Sequence, residues 1–191
     1  KNQGTKQSMT KTYIKWYLEK GGELVSDTTA KKMNFIANNW VISCINSKNN
    51  QKSRIRAKSV FLCGGAINTP FLLRSNGIKK NIGNSLQMHP TIKVIAEFDE
   101  IINYDNMGVP VHQVKEFSPD ISFGCSISSK PFLALAMLDN EMYMNKIEKN
   151  WEKMAIYYSM IKPSGYGNVR KLPFFKDPFV RYNISENDLI E

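Results

Sequence analysis

Residues 57–76 read AKSVFLCGGAINTPFLLRSN and combine an apolar run, a glycine pair and an amphipathic stretch. The uninterrupted apolar run over 60–63 is typical of a buried parallel strand. Gly64-Gly65 predicts a tight turn, and the apolar side chains from Ala66 onward recur with helical spacing. This order predicts a strand, a glycine turn and a helix with Pro70 in its first turn, which is the local pattern of an α/β domain.

The residues before this stretch predict one helix and several short strands. A helix is predicted over 8–20, because apolar residues recur there near helical spacing and two glycines follow at the stop position. Strands are predicted over 23–27, 30–36 and 40–45. The polar residues 46–53 predict a turn between strands.

The pattern changes after Gly83, and we place a domain crossing near Leu86. Strands are predicted over 91–98, 111–117, 121–128, 151–161 and 169–172, and a helix over 131–144. Ser185 and Asp188 have the spacing of a capping box and predict the start of a last helix. The fold class that follows is α/β up to residue 86 and α+β over 87–191.

Composition restricts the classes of function. The chain has 191 residues, of which 42% are hydrophobic and 23% charged, as in ordinary globular domains. Its net charge of +9 is typical of proteins that bind nucleic acids. The lysines are dispersed, however, and no dense Lys/Arg run is interleaved with aromatic residues. We therefore expect solvated lysines and no nucleic-acid partner.

The residue types that carry most chemistry are sparse in this chain. The three cysteines are widely spaced, so they predict neither a disulfide framework nor a metal knuckle, and a reducing, cytoplasmic location fits best. No apolar run is long enough for a membrane span. The two histidines, His89 and His112, have no partner at motif spacing, and the GxSxG, P-loop and HExxH motifs are absent. No catalytic and no metal-binding residue is predicted.

Several short segments, taken in order, resemble landmarks of the glucose-methanol-choline (GMC) oxidoreductases. Residues 63–77, CGGAINTPFLLRSNG, are similar to the second signature of that family, and 82–90, IGNSLQMHP, resemble its Asn-Leu-Gln-Asp-His-Pro segment. Residues 6–14 match an earlier landmark, and 164–183 resemble the opening of the C-terminal substrate region. Asn76 and Met88 depart from the family pattern, which usually has Gly and often Asp there.

The resemblance implies part of a Rossmann-like FAD-binding domain over 1–86, followed by part of an antiparallel-sheet substrate domain over 87–191. It implies FAD as the cofactor, with hydride transfer from an alcohol substrate to the flavin and an electron acceptor of unknown kind. The cofactor-binding residues that it implies are Ala30, beside the adenine, and Cys63, Gly64 and Gly65, beside the adenosine. The backbone is the operative group at each of them.

The resemblance also places the dinucleotide fingerprint before Lys1 and the catalytic histidine after Glu191, so the 191 residues alone are expected to be an inactive fragment. Two alternatives compete with the enzyme hypothesis. One is a non-catalytic basic binding module that uses a mixed sheet as its platform. The other is a divergent homologue that is kept for protein interaction and has no flavin chemistry.

Overall fold

The computed structural model describes residues 7–105 and 107–190, which form two compact units. The first unit runs up to Leu86 and also contains Asn168–Arg181, and the second comprises Gln87–Gly167 and the residues from Tyr182 onward. One division thus falls after Leu86, where the sequence places the domain crossing. Asn168–Arg181, however, belongs to the first unit, whereas the predicted boundaries place these residues in the second domain, 87–191. Lys6, the first residue of the earliest family landmark, lies outside the described residues.

The helices are α1 (Tyr13–Glu19), α2 (Gly65–Ser75), α3 (Lys130–Ala136), α4 (Met144–Asn150) and α5 (Glu186–Ile190), with short 3-10 turns at Glu141–Tyr143 and Trp151–Lys153. The strands are β1 (Thr28–Ile36), β2 (Asn39–Asn46), β3 (Lys52–Ala57), β4 (Thr91–Glu97), β5 (Gln113–Val114), β6 (Ile121–Ser126), β7 (Met154–Ile161), β8 (Asn168–Arg170) and β9 (Phe179–Arg181). Among the described residues, no helix combines the length and the apolar composition that crossing a bilayer requires.

The first unit is built on an antiparallel sheet with the strand order β1-β2-β3. The turn between β1 and β2 consists of Ala37 and Asn38, whose φ angles of 47° and 60° belong to the tight turns that match the twist of a hairpin. The predicted strands in β1 and β2 are confirmed. The strand predicted over 23–27 is wrong, and β3 was missed because its sequence, KSRIRA, has a single large apolar residue.

One face of this sheet carries the core of the first unit. Met33, Ile42 and Cys44 are buried, and Leu72 and Leu73 of α2 pack against them. Val60 and Leu62 pack there as well, whereas Phe61 is 89% exposed. Residues 60–63 have no strand partner within the described chain, so the predicted parallel strand is wrong there, and Rossmann-like topology stays a prediction.

Glycine determines how two helices of this unit begin and end. Gly65 has a φ of +78°, which favours glycine, and α2 begins there, so Pro70 lies in the second turn and not in the predicted first turn. α1 ends at the predicted glycines. Gly21 has a φ of +83°, and the amide of Gly22 donates to the carbonyl of Tyr17 at 2.9 Å, as in a Schellman cap.

The chain returns to the first unit through Arg170 and Val169. The Arg170 Nη1 donates to the Gly83 carbonyl and to Asn84 Oδ1, both at 2.8 Å. The Val169 amide also donates to the Gly83 carbonyl, at 2.9 Å. A Cβ atom at Gly83 would lie 2.5 Å from the Val169 carbonyl oxygen, so only glycine permits this approach.

The second unit is an antiparallel sheet in the order β4-β7-β6-β5, which confirms the predicted antiparallel sheet. Two helices pack on β7 to form the core of this unit. Met154 and Ile156 of β7 contact Leu133 of α3, Met137 at the C-cap of α3, and Ile147 of α4. The helix predicted over 131–144 is wrong as one element, because a turn after Met137 separates α3 from α4. Asp139 and Asn140, both common in turns, lie in it.

Candidate functional site

A cleft of about 1070 Å³ lies in the first unit beside the start of α2 and is termed the α2 cleft. The walls come from the beginning of β1, the end of β2, the segment that leads into α2, α2 itself and the loop between β8 and β9. The lining residues include Thr28, Thr29, Ala30, Lys31, Cys63, Gly64, Asn68, Thr69, Lys171, Lys176 and Asp177. A volume of this size suits a large ligand or part of one.

Three of the four residues implied as cofactor contacts line this cleft. Ala30 is on the wall from β1, and Cys63 and Gly64 are on the wall that leads into α2. Gly65 does not line the cleft but follows Gly64 as the first residue of α2. The structure thus brings together residues that are more than thirty positions apart in the sequence.

The glycine pair has a structural explanation of its own. A Cβ atom at Gly64 would lie 3.2 Å from both Asn68 Cβ and the Thr69 amide nitrogen, so the residue is packed against its own helix. Gly65 needs its positive φ, and a Cβ there would meet nothing within 4 Å. The pair therefore forms the turn whether or not a ligand approaches, which is the tight-turn interpretation of the sequence.

The first turn of α2 offers hydrogen-bond donors to the cleft. No side chain caps the helix, because the N-cap residue is Gly64. The first amides of a helix have no partner inside the helix and carry a partial positive charge. Lys31, Lys171 and Lys176 line the same cleft, against one carboxylate, that of Asp177. The cleft is therefore suited to a polar or anionic ligand.

The β1 wall offers backbone groups. β1 is an edge strand of its sheet, so one side of its backbone has no neighbouring strand among the described residues. The register between β1 and β2 shifts between Ala30 and Lys32, which leaves Lys31 without a paired residue. A ligand in the cleft meets backbone at Ala30, whose small side chain does not obstruct the approach.

The cysteines are free and differ in accessibility. Cys63 is exposed at the cleft, Cys125 is half-buried and Cys44 is buried. Burial raises the pKa of the Cys44 thiol, because the thiolate loses hydration in the core. The described residues contain no cluster of three or more His, Cys, Asp and Glu side chains that could hold a metal ion.

The two histidines lie in the second unit. His89 Nδ1 lies 3.2 Å from the Ile161 carbonyl oxygen, and because that oxygen only accepts, Nδ1 carries the proton in this hydrogen bond. His112 lines a second cavity, of about 500 Å³, near β6 and β7. Trp151 also lines it.

The Asp188 carboxylate accepts several hydrogen bonds in the second unit, and these tertiary contacts were not predicted. Its carboxylate accepts from the Ser164 amide at 2.7 Å, the Ser164 hydroxyl at 2.8 Å and the Gly165 amide at 3.2 Å. The predicted capping box is confirmed, since the Asp188 amide donates to Ser185 Oγ at 3.1 Å. Hydrogen bonds led by that of the Ser164 amide lower the pKa of Asp188 to about 2.

Comparisons with known proteins agree with the resemblance. A family model described as GMC oxidoreductase matches residues 1–91. An uncharacterized GMC-type oxidoreductase of Sinorhizobium fredii, y4nJ, is 32% identical over 191 residues, which cover 98% of this chain and 38% of that protein. A long-chain-alcohol oxidase of Arabidopsis thaliana, FAO1, is 25% identical over 161 residues, which cover 78% of this chain and 20% of that protein. The chain thus spans less than half the length of either relative.

The family model covers most of the first unit, including all residues of the α2 cleft that precede β8. The domain that it describes is the FAD-binding domain of the family, which makes FAD the cofactor. The family model and the similarity of 98% of this chain to part of a GMC-type oxidoreductase confirm the resemblance found in the sequence. The chain is therefore similar to GMC oxidoreductases, a family of FAD-dependent flavoproteins, over essentially all of its residues.

Proposed function

We propose that this chain is part of an FAD-dependent enzyme that oxidises the CH–OH group of an alcohol, and that the α2 cleft holds the adenosine part of FAD. One observation carries the proposal: Ala30, Cys63 and Gly64, each implied by the family motifs, line a single cleft. When bound, FAD would supply the acceptor for the hydride that leaves the alcohol carbon.

The residues of the cleft fit an adenosine diphosphate group. The backbone of Ala30 on the edge strand would contact the adenine, and the amides at the start of α2 would donate to ribose or phosphate oxygens. Lys171 and Lys176 supply positive charge on the opposite wall. The Lys171 ammonium is held in place, since it donates to the Phe175 carbonyl and lies 5.6 Å from the centroid of the Phe71 ring.

The second unit supplies part of the substrate domain in this proposal. Its cavity of about 500 Å³ has an apolar lining that includes Val109, Val111 and Trp151. Its polar lining residues include Asn103, Asp105 and His112, and Asn103 donates from Nδ2 to the Trp151 carbonyl at 2.9 Å. The apolar part of the lining suits an aliphatic chain, and one relative is described as a long-chain-alcohol oxidase.

The test of the cofactor is a titration of the protein with FAD, followed by the quenching of flavin fluorescence. Lys171→Glu with Lys176→Glu reverses two charges of the cleft and is expected to weaken FAD binding on the order of 10-fold or more. Lys79→Glu with Lys80→Glu makes the same change in net charge outside the cleft and is the matched control. Equal loss in both variants would remove the assignment of the cleft.

The test of the reaction is the visible absorption spectrum of the purified full-length gene product that contains this chain, because the 191 residues alone are expected to be inactive. Flavin bands that bleach when a long-chain primary alcohol is added without oxygen support alcohol oxidation. A spectrum that is unchanged by alcohols of every chain length, in a protein that binds FAD, contradicts alcohol as the substrate and leaves the cofactor assignment intact.

A further inference from the structure

The outer face of the β1-β2-β3 sheet is strongly basic and is termed the basic face. Its four cations are Lys32, Lys52, Arg54 and Arg56. Arg54 pairs with Ser43, and Ser43 pairs with Lys32, so these three residues form one row across the sheet. Lys52 and Arg56 lie two residues before and after Arg54 and therefore point to the same side of β3.

The hydrophobic pattern fixes which way this face points. The opposite face carries the buried residues Met33, Ile42 and Cys44. Because side chains alternate along a strand, a slip of one residue would place the cations in this core. The basic face is thus a necessary consequence of the sheet register, and its four cations are all exposed.

The charge of the basic face is uncompensated within the described residues. The sequences of the three strands, TTAKKMNFI, NWVISCIN and KSRIRA, contain no acidic residue. The ion pairs that the structure describes involve Lys15, Lys48, Lys130 and Lys146, and none involves a cation of this face. Burying unpaired charges is costly, so such a surface faces water or an anionic partner.

An apolar hairpin tip adjoins the basic face. Phe35 and Ile36 end β1 and are each 57% exposed. Ile36 lies on the same side of β1 as Lys32 by strand alternation, so it adds exposed apolar surface beside the basic face. Phe35 lies on the opposite side of β1, where its ring is 5.2 Å from the Trp40 ring.

We propose that the basic face binds the surface of an anionic lipid bilayer, and that the β1–β2 hairpin tip enters the headgroup region. A row of cations beside an exposed apolar side chain is the combination that holds proteins at such a surface. Between the cations lie Val41 and Ile45, which are aliphatic and offer no aromatic platform on which bases stack. The inference is independent of the proposed alcohol oxidation.

The experiment is co-sedimentation of the protein with vesicles. Binding is expected to vesicles of phosphatidylcholine with phosphatidylserine, absent with phosphatidylcholine alone, and reduced by raised salt. The test variant replaces the four cations of the basic face by Gln, and the matched control replaces Lys79, Lys80, Lys115 and Lys149 by Gln. Each cation near an anionic surface contributes about 5-fold, so the test variant, which lacks four of them, is expected to bind roughly 600-fold more weakly and the control far less.

Ile36→Ser changes no charge and is expected to lower binding several-fold if the tip enters the headgroups, with circular dichroism to verify the fold of every variant. Equal losses in the test variant and the control would show that net charge alone drives binding and would overturn the proposal. Failure of the unmodified protein to bind anionic vesicles at low salt would overturn it as well. Tighter binding to a DNA or RNA duplex than to vesicles would replace it by a nucleic-acid surface.

Discussion

Asn76 joins α2 to the edge of the first sheet, and its removal tests how the first unit is held together. Its Oδ1 accepts the Met33 amide at 2.7 Å, and its Nδ2 donates to the Leu72 carbonyl at 2.8 Å. Asn76→Ala leaves the amide of the buried Met33 without a partner, which costs about 1–3 kcal/mol, and removes a second bond worth about 1 kcal/mol. The expected decrease in the free energy of unfolding is therefore about 2–4 kcal/mol.

Urea denaturation measures this loss, and hydrogen exchange of the Met33 amide locates it. Asn76→Asp keeps an acceptor for that amide and is expected to cost less than Asn76→Ala. Asn76→Gly introduces the usual residue of the family and is expected not to raise the free energy of unfolding. The reason is that Asn76 has a φ of −105° and needs no left-handed conformation. Asn145→Ala, at an exposed position on α4, is the control. A decrease below about 1 kcal/mol for Asn76→Ala, or unchanged exchange at Met33, would refute the reasoning.

Three further predictions concern the core, acid stability and thiol reactivity. Leu133 is fully buried, so Leu133→Ala is expected to lower the free energy of unfolding by about 2–5 kcal/mol in thermal denaturation, and Leu138→Ala, at a position 59% exposed, by less than about 0.5 kcal/mol. The pKa of Asp188 is lowered from 3.8 to about 2, so its bonds stabilise the fold above pH 3.8 and are lost as the pH falls toward 2. Asp188→Asn should therefore lose less stability than the unmodified protein between pH 5 and pH 2, and parallel curves would contradict this assignment. Cys63 is exposed whereas burial raises the pKa of Cys44, so a thiol reagent should modify Cys63 at least about 10-fold faster, as read by peptide mass spectrometry.

Local signals in the sequence predicted most elements of the fold. The glycine cap of α1, the start of α2 and the capping box of α5 follow from residues within a few positions of one another, and the structure has all three. The missed strand β3 shows the limit of such signals. Its cations alternate with Ser53 and Ile55, so its hydrophobic pattern is weak, and pairing with β2 alone makes it a strand.

Contacts between residues far apart in the chain could not be predicted from local sequence patterns. The bond from Met33 to Asn76 joins residues 43 positions apart, and that from Arg170 to Gly83 spans 87 positions. No local pattern states that Asn168–Arg181 returns to the first unit, where its loop supplies the lysine wall of the α2 cleft. The implied residues Ala30, Cys63 and Gly64 were therefore predicted by resemblance, while the lysines that share the cleft were not.

Several residues of the motifs that carry the resemblance are required by the fold itself. Gly83 leaves no room for a Cβ beside Val169, and a Cβ at Gly165 would lie 2.7 Å from the Asn183 carbonyl oxygen. Asp188 uses its carboxylate to hold the Ser164-Gly165 segment through hydrogen bonds to both amides. These landmarks identify the family because they build its units. The chemistry has to be tested at the α2 cleft, where the walls from β1, α2 and the loop after β8 meet around one space.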